Sequence, residues 1–107
     1  MPASAGRRLE WAPRALQAYI DSLAHIADED PRTAGLVQER VEHALDVILL
    51  HPGIGVRTAR RGERRFPIAN TGHVIVYRVT LAAVRVHVWY RARQNVRRRL
   101  RVDANGG

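Results

Sequence analysis

The stretch Val74-Ile75-Val76-Tyr77-Arg78-Val79, continued after Leu81-Ala82-Ala83 by Val84-Arg85-Val86-His87-Val88-Trp89-Tyr90-Arg91, decides the fold. The first run is almost uninterruptedly apolar, which suits a central strand covered on one face and partly on the other. In the second, Val84, Val86, Val88 and Tyr90 alternate with Arg85, His87, Trp89 and Arg91. Alternation with period two predicts a half-buried strand whose outer face is basic and aromatic. Leu81-Ala82-Ala83 is read as the turn between them. Upstream, Arg64-Arg65-Phe66-Pro67-Ile68 predicts a short strand, and Pro67 places it at an edge or a bulge. Ala69-Asn70-Thr71-Gly72 is the turn that follows. Residues 53–62 are read as a Gly- and Arg-rich loop.

Further upstream the period changes. Leu16, Ile20, Leu23 and Ala27 recur at helical spacing behind Pro13, with Tyr19 and Ile26 beside them, predicting a first helix over about 13–28. Asp28-Glu29-Asp30-Pro31 breaks it, and Asp30 is placed to cap a second helix with Pro31 in its first turn. Ala34, Val37, Val41, Leu45 and Ile48 form that helix's apolar stripe, which ends before His51-Pro52-Gly53. Residues 7–12 are a short strand candidate. The order is β-α-α-β-β-β. It predicts an α+β domain with a helical hairpin packed on one face of a mainly antiparallel sheet, strand 74–79 central. Val41, Leu45, Ile48, Val76 and Val86 are expected to be buried together.

The chain has 107 residues, one domain's worth, and a net charge of +8. The charge is polarised: residues 1–56 hold five arginines against eight acids, and residues 57–107 hold thirteen against two. Every basic residue is arginine. Such a half-molecule attracts nucleic acid or an acidic protein segment, and the guanidinium fork pairs with phosphate or carboxylate alike. No cysteine is present, which excludes disulfides, thiolate metal sites and a thiol nucleophile, and fits a cytoplasmic location. No run approaches the ~20 apolar residues of a membrane span, and Met1 to Arg8 lacks a signal core. No histidine pair has zinc-ligand spacing, and no cofactor motif occurs. Residues 1–6 are expected to be a disordered end, 7–95 the domain, and 96–107 a basic, partly disordered tail.

The ordered segments resemble the RelE/ParE toxin superfamily over about residues 9–95. Leu9-Glu10-Trp11 before an Ala-rich helix is similar to the opening of its members. Asp30-Pro31, with a helix ending at Leu50-His51-Pro52-Gly53-Ile54-Gly55, is similar to their second helix and exit. Gly62-Glu63-Arg64-Arg65-Phe66-Pro67-Ile68, Val76-Tyr77-Arg78-Val79 and Val88-Trp89-Tyr90-Arg91-Ala92-Arg93-Gln94 resemble their three last strand segments.

That resemblance implies a type II toxin neutralised by an acidic antitoxin in a hetero-oligomer. It implies one of two activities: binding and blocking DNA gyrase, as ParE-like members do, or cutting messenger RNA in the ribosome, as RelE-like members do. Cutting needs a base, an acid and cations for the phosphorane charge. Arg65 matches a basic position of the RNA-cleaving members. Pro67 and Val74 stand where they carry two more, so the ParE-like activity is favoured. On the RNA-cleaving alternative the site would be Arg65, His87, Tyr90 and Arg93. On either reading Arg64, Arg65, Arg78, Arg85, Trp89, Arg91 and Arg93 are the candidate contacts to target or antitoxin. An acidic, amphipathic antitoxin segment is expected across the Arg-rich sheet and the helical hairpin. For Trp89, core edge and interface anchor stay open, as do disordered tail and docking arm for Arg97 to Arg101.

Overall fold

The computed structural model describes residues 6–92. Arg93 and the arginine run 97–101 lie outside the described residues, as do Met1 to Ala5. In chain order the elements are β1 (Arg8–Trp11), α1 (Pro13–Glu29), α2 (Pro31–Leu50), β2 (Val56–Arg57), β3 (Glu63–Ile68), β4 (His73–Val79) and β5 (Ala83–Arg91). The sheet order is β1-β5-β4-β3-β2, with β4 at its centre. Pairing from β2 to β5 is antiparallel, and β1 joins β5 in parallel. This is the α+β architecture the sequence predicts, made mixed by its first strand.

The two helices meet at a single residue. The Asp30 N–H closes α1 on the Ile26 carbonyl at 2.8 Å. Its carboxylate accepts from the Arg32 N–H at 3.1 Å and from the Thr33 hydroxyl at 2.8 Å. Those bonds satisfy donors at the start of α2. The Thr33 hydroxyl, first, and then the Arg32 amide hold the Asp30 carboxyl below its ordinary pKa. With no residue to spare between them, the helices fold back as an antiparallel hairpin.

The core lies between this hairpin and one sheet face. Val37, Val41, Ala44, Leu45 and Ile48 of α2 pack on Ile68, Ile75, Tyr77, Val84, Val86 and Trp89. The apolar stripe of α1 is turned by about one residue from the sequence expectation. Ala15 is buried and Tyr19, Leu23 and Ile26 pack inward, while Leu16 and Ile20 are 38% and 48% exposed. Two tryptophans set that rotation. Trp11 stacks on Tyr19 at 5.2 Å, and Trp89 meets the Tyr19 edge at 4.8 Å, so the α1 face that carries Tyr19 must point inward.

Residues 53–62 are not all loop. Val56 and Arg57 form β2, the short edge strand beside Arg65 and Arg64. Pro52 to Ile54 make one 3₁₀ turn, pinned by the buried Tyr77. The Tyr77 hydroxyl donates to the Pro52 carbonyl at 2.7 Å and accepts from the Gly55 N–H at 3.0 Å. A Cβ at Gly55 would sit 2.7 Å from that hydroxyl and 2.9 Å from the Arg65 carbonyl oxygen. Neither neighbour can yield cheaply, since one is backbone and the other is hydrogen-bonded on both sides. Gly55→Ala is therefore expected to cost about 1–3 kcal/mol, the range of overpacked sites. Urea denaturation measures it, and a loss below about 0.5 kcal/mol would show that the turn relaxes freely.

Candidate functional site

The side chains on the sheet face turned away from α1 and α2, the open face among the described residues, follow from the strand registers. The first row of this face is Glu10, Arg85, Arg78 and Glu63; its second is Val88, Val76, Arg65 and Val56; its third is Tyr90, Val74 and Pro67. Arg65, Arg78 and Arg85 lie together on this face as expected. Val74 and Val76 are 5% and 9% exposed. The middle of the face is therefore apolar, and arginines occupy its flank. Val76 is buried as expected, but on this face and not with Val41, Leu45, Ile48 and Val86.

The alternation along β5 does not persist to its end. Val76 pairs with Val88, and the next residue, Tyr77, pairs with Val86, so His87 is an extra residue in a β-bulge. Beyond the bulge the faces exchange. Val88 and Tyr90, expected inside, lie on the open face at 39% exposure each. Trp89, expected outside, is 7% exposed in the core, and its indole N–H donates to the Ser22 hydroxyl at 2.9 Å. Of the two readings left open for Trp89, the structure places it in the core. Arg91 pairs with His73 and joins the helix side of the sheet. Arg64, a candidate contact, lies on the helix side by its pairing with Tyr77, and its guanidinium donates to the Gly55 carbonyl at 2.7 Å.

The bulge aims His87 at Glu63. The imidazole Nε2 and a Glu63 carboxylate oxygen are 2.6 Å apart, and Arg78 stands 3.9 Å from the same carboxylate. The Thr58 hydroxyl donates to its other oxygen. That hydroxyl, first, and then His87 hold the Glu63 carboxyl below its ordinary pKa, although burial acts the other way. An ionised carboxylate only accepts, so Nε2 carries the shared proton. The cluster does two things. It ties the 58–62 loop to β5, and it holds an oriented imidazole beside a guanidinium, the elements of an acid–base site. Sequence reasoning missed Glu63. Its one signal was an acid standing alone among the arginines from Arg57 to Arg101. Arg85 is engaged as well, 3.5 Å from Glu10.

A second histidine is buried on the helix side. His73 stacks on Trp89 at 4.7 Å and is 4% exposed, and its Nδ1 has no hydrogen-bond partner. Burial, first, and then the Arg91 charge push its pKa below the ordinary value. The folded chain thus resists a proton that the unfolded chain accepts near pH 6.5. Stability is unaffected above that pH and falls as the pH drops below it, towards the folded pKa, by at most about 1.4 kcal/mol per pH unit. His73→Phe keeps the ring stack and should lose less stability than the parent between pH 7 and pH 5. Equal losses in urea titrations at the two pH values would contradict this. Among the described residues no three His, Asp or Glu side chains converge as a metal site would require, and no helix is long and apolar enough to cross a membrane.

Comparison with known proteins places the chain among toxins. The chain is similar to "Putative toxin Y4kP" of Sinorhizobium fredii (strain NBRC 101917 / NGR234), 28% identical over 74 residues. The alignment covers 69% of this chain and 77% of that protein. The family described as "ParE toxin of type II toxin-antitoxin system, parDE" matches residues 9–95, from β1 through the bulged strand to just beyond the described residues. With the match spanning nearly all of the described domain, the chain belongs to the ParE toxin family of type II toxin–antitoxin systems.

Proposed function

We propose that the chain acts in the cytoplasm by binding DNA gyrase with its open sheet face, and that an acidic antitoxin holds it inactive. The observation that carries this reading is the register Pro67↔Val74↔Tyr90 across the middle of that face. An RNA-cleaving relative would carry cations at the first two positions, and here they form an apolar strip flanked by Arg65 and Arg78. Losing one well-placed stabilising donor costs about 10²–10³ in rate, and two are absent. Val74 itself is buried, and the apolar area the face exposes comes from Val56, Val88 and Tyr90; beside exposed arginines it suits docking on a protein, where apolar area supplies affinity and arginines steer and orient.

One observation favours cleavage instead. His87, oriented by Glu63 and adjoining Arg78, could exchange protons with a ribose hydroxyl. On that reading Arg65 and Tyr90 would complete the site, with Arg93 beyond the described residues. Against it, Nε2 is committed to Glu63, and the pair already anchors a loop. Primer extension on messenger from a translation reaction containing the purified chain separates the two. The expected result is no codon-phased cut. Cuts that vanish in Arg65→Ala or His87→Ala would establish the nuclease.

A further inference from the structure

Between Arg57 and Arg65, five arginines stand against one acid, Glu63. Four of them, Arg57, Arg60, Arg61 and Arg64, line a cleft of about 450 Å³ formed by the loop from β2 to β3. Arg64 is spent on the Gly55 carbonyl. Arg57, Arg60 and Arg61 are exposed, and none has an ion-pair partner among the described residues. Glu63 also lines the cleft, but it is buried, and both its carboxylate oxygens are taken, one by the Thr58 hydroxyl and the other by His87. The loop is braced from within. The Thr58 N–H donates to the Glu63 carbonyl at 3.1 Å, the Glu63 N–H to the Arg60 carbonyl at 3.2 Å, and the Arg60 N–H to the Thr58 hydroxyl at 3.1 Å. Three cations are thus held on one small, fixed loop with no internal counter-charge of their own.

We propose that this loop binds the phosphate backbone of duplex DNA, with Arg57, Arg60 and Arg61 on neighbouring phosphates. The lining of the cleft selects the occupant. Beside the arginines, Thr58 and Glu63 it holds only Ala59 and Gly62, so among the described residues no large apolar side chain offers a docking protein its affinity. No aromatic ring lines it either, whereas single-stranded nucleic acid is held largely by bases stacked on such rings. What remains is a set of guanidinium forks, which suits a ligand recognised by its phosphates alone. The proposal rests on the gyrase reading for the source of that ligand, an enzyme that holds DNA. Glu63 pairs with Arg78, so the loop continues the first row of the open face. A chain docked by that face would lay the loop beside its target, against the DNA the target carries.

The test is fluorescence anisotropy of a short labelled duplex of mixed sequence, titrated with the purified chain at a series of salt concentrations. Affinity should fall with salt, each phosphate contact adding about 0.9 to the logarithmic slope. Arg60→Gln with Arg61→Gln should therefore lower that slope by about two. Arg14→Gln with Arg32→Gln removes the same charge from exposed sites on the helices, and should change the slope by less than about half a unit. The bonds that brace the loop run through the Arg60 backbone and the Thr58 and Glu63 side chains, so the loop pair should stay folded. Circular dichroism checks this, and Arg61→Gln alone, expected to lower the slope by about one, serves if the pair does not fold. The duplex should bind more tightly than single-stranded DNA or RNA of the same length, and polyglutamate should compete less well than unlabelled duplex. No binding, an unchanged slope in the loop variants, equal slope losses in the two pairs, tighter binding of a single strand, or equal competition by polyglutamate would each overturn the proposal. The assay contains no gyrase, and supercoiling inhibition is measured separately, so this proposal and the gyrase reading fail independently.

Discussion

Ile48→Ala should lower the free energy of unfolding by about 2–5 kcal/mol, the cost of emptying a fully packed site. Ile48 is wholly buried, on the α2 face that meets the sheet. Tyr77 and Val86, also without exposure, belong to the same core, and both are held in register by the central strand pair. The surroundings cannot collapse into the space without breaking the Tyr77 bonds to Pro52 and Gly55. Ile20→Ala removes the same atoms from a half-exposed site and should cost less than about 1 kcal/mol. Urea denaturation of both variants measures the difference. Similar losses would mean that the rotation of α1 has been assigned wrongly.

The second large effect is expected on the open face. Arg65→Glu with Arg78→Glu should reduce gyrase inhibition at least ~100-fold while the chain stays folded. Each reversal removes a cation from the flank of the apolar strip and adds a repulsive anion. Charged contacts are worth about 1.5–3 kcal/mol apiece, and 1.4 kcal/mol is tenfold in affinity. Arg65 is exposed, whereas Arg78 stands 3.9 Å from the Glu63 carboxylate, so its reversal also costs some stability and circular dichroism must confirm that the double variant is folded. The residual interaction should also lose its salt dependence, because screening acts on the charged component. Undiminished inhibition by the double variant would move the target contact elsewhere.

The sequence shows the element order because each period is carried by many residues. The Asp30-Pro31 break, the α2 stripe and the central apolar strand each agree with local chemistry and with the fold at once. What it hides depends on single residues. The His87 bulge reverses the face of every side chain after it, and no motif announces an extra residue in a strand. Trp89 and Arg91 therefore leave the open face, while Val88 and Tyr90 enter it. The α1 face was hidden for a different reason. Leu16 and Ile20 satisfy helical spacing as well as Ala15 and Tyr19 do, and only the Trp11 and Trp89 rings choose between them. Arg65, Arg78 and Arg85 were legible as a patch because they precede the bulge. Glu63 escaped because its role comes from a partner 24 residues away.

The most direct measurement is supercoiling of relaxed plasmid by purified gyrase with increasing amounts of the purified chain. The account predicts a dose-dependent loss of supercoiled product, which the double charge reversal largely abolishes. Full supercoiling at a saturating amount of folded chain would contradict it.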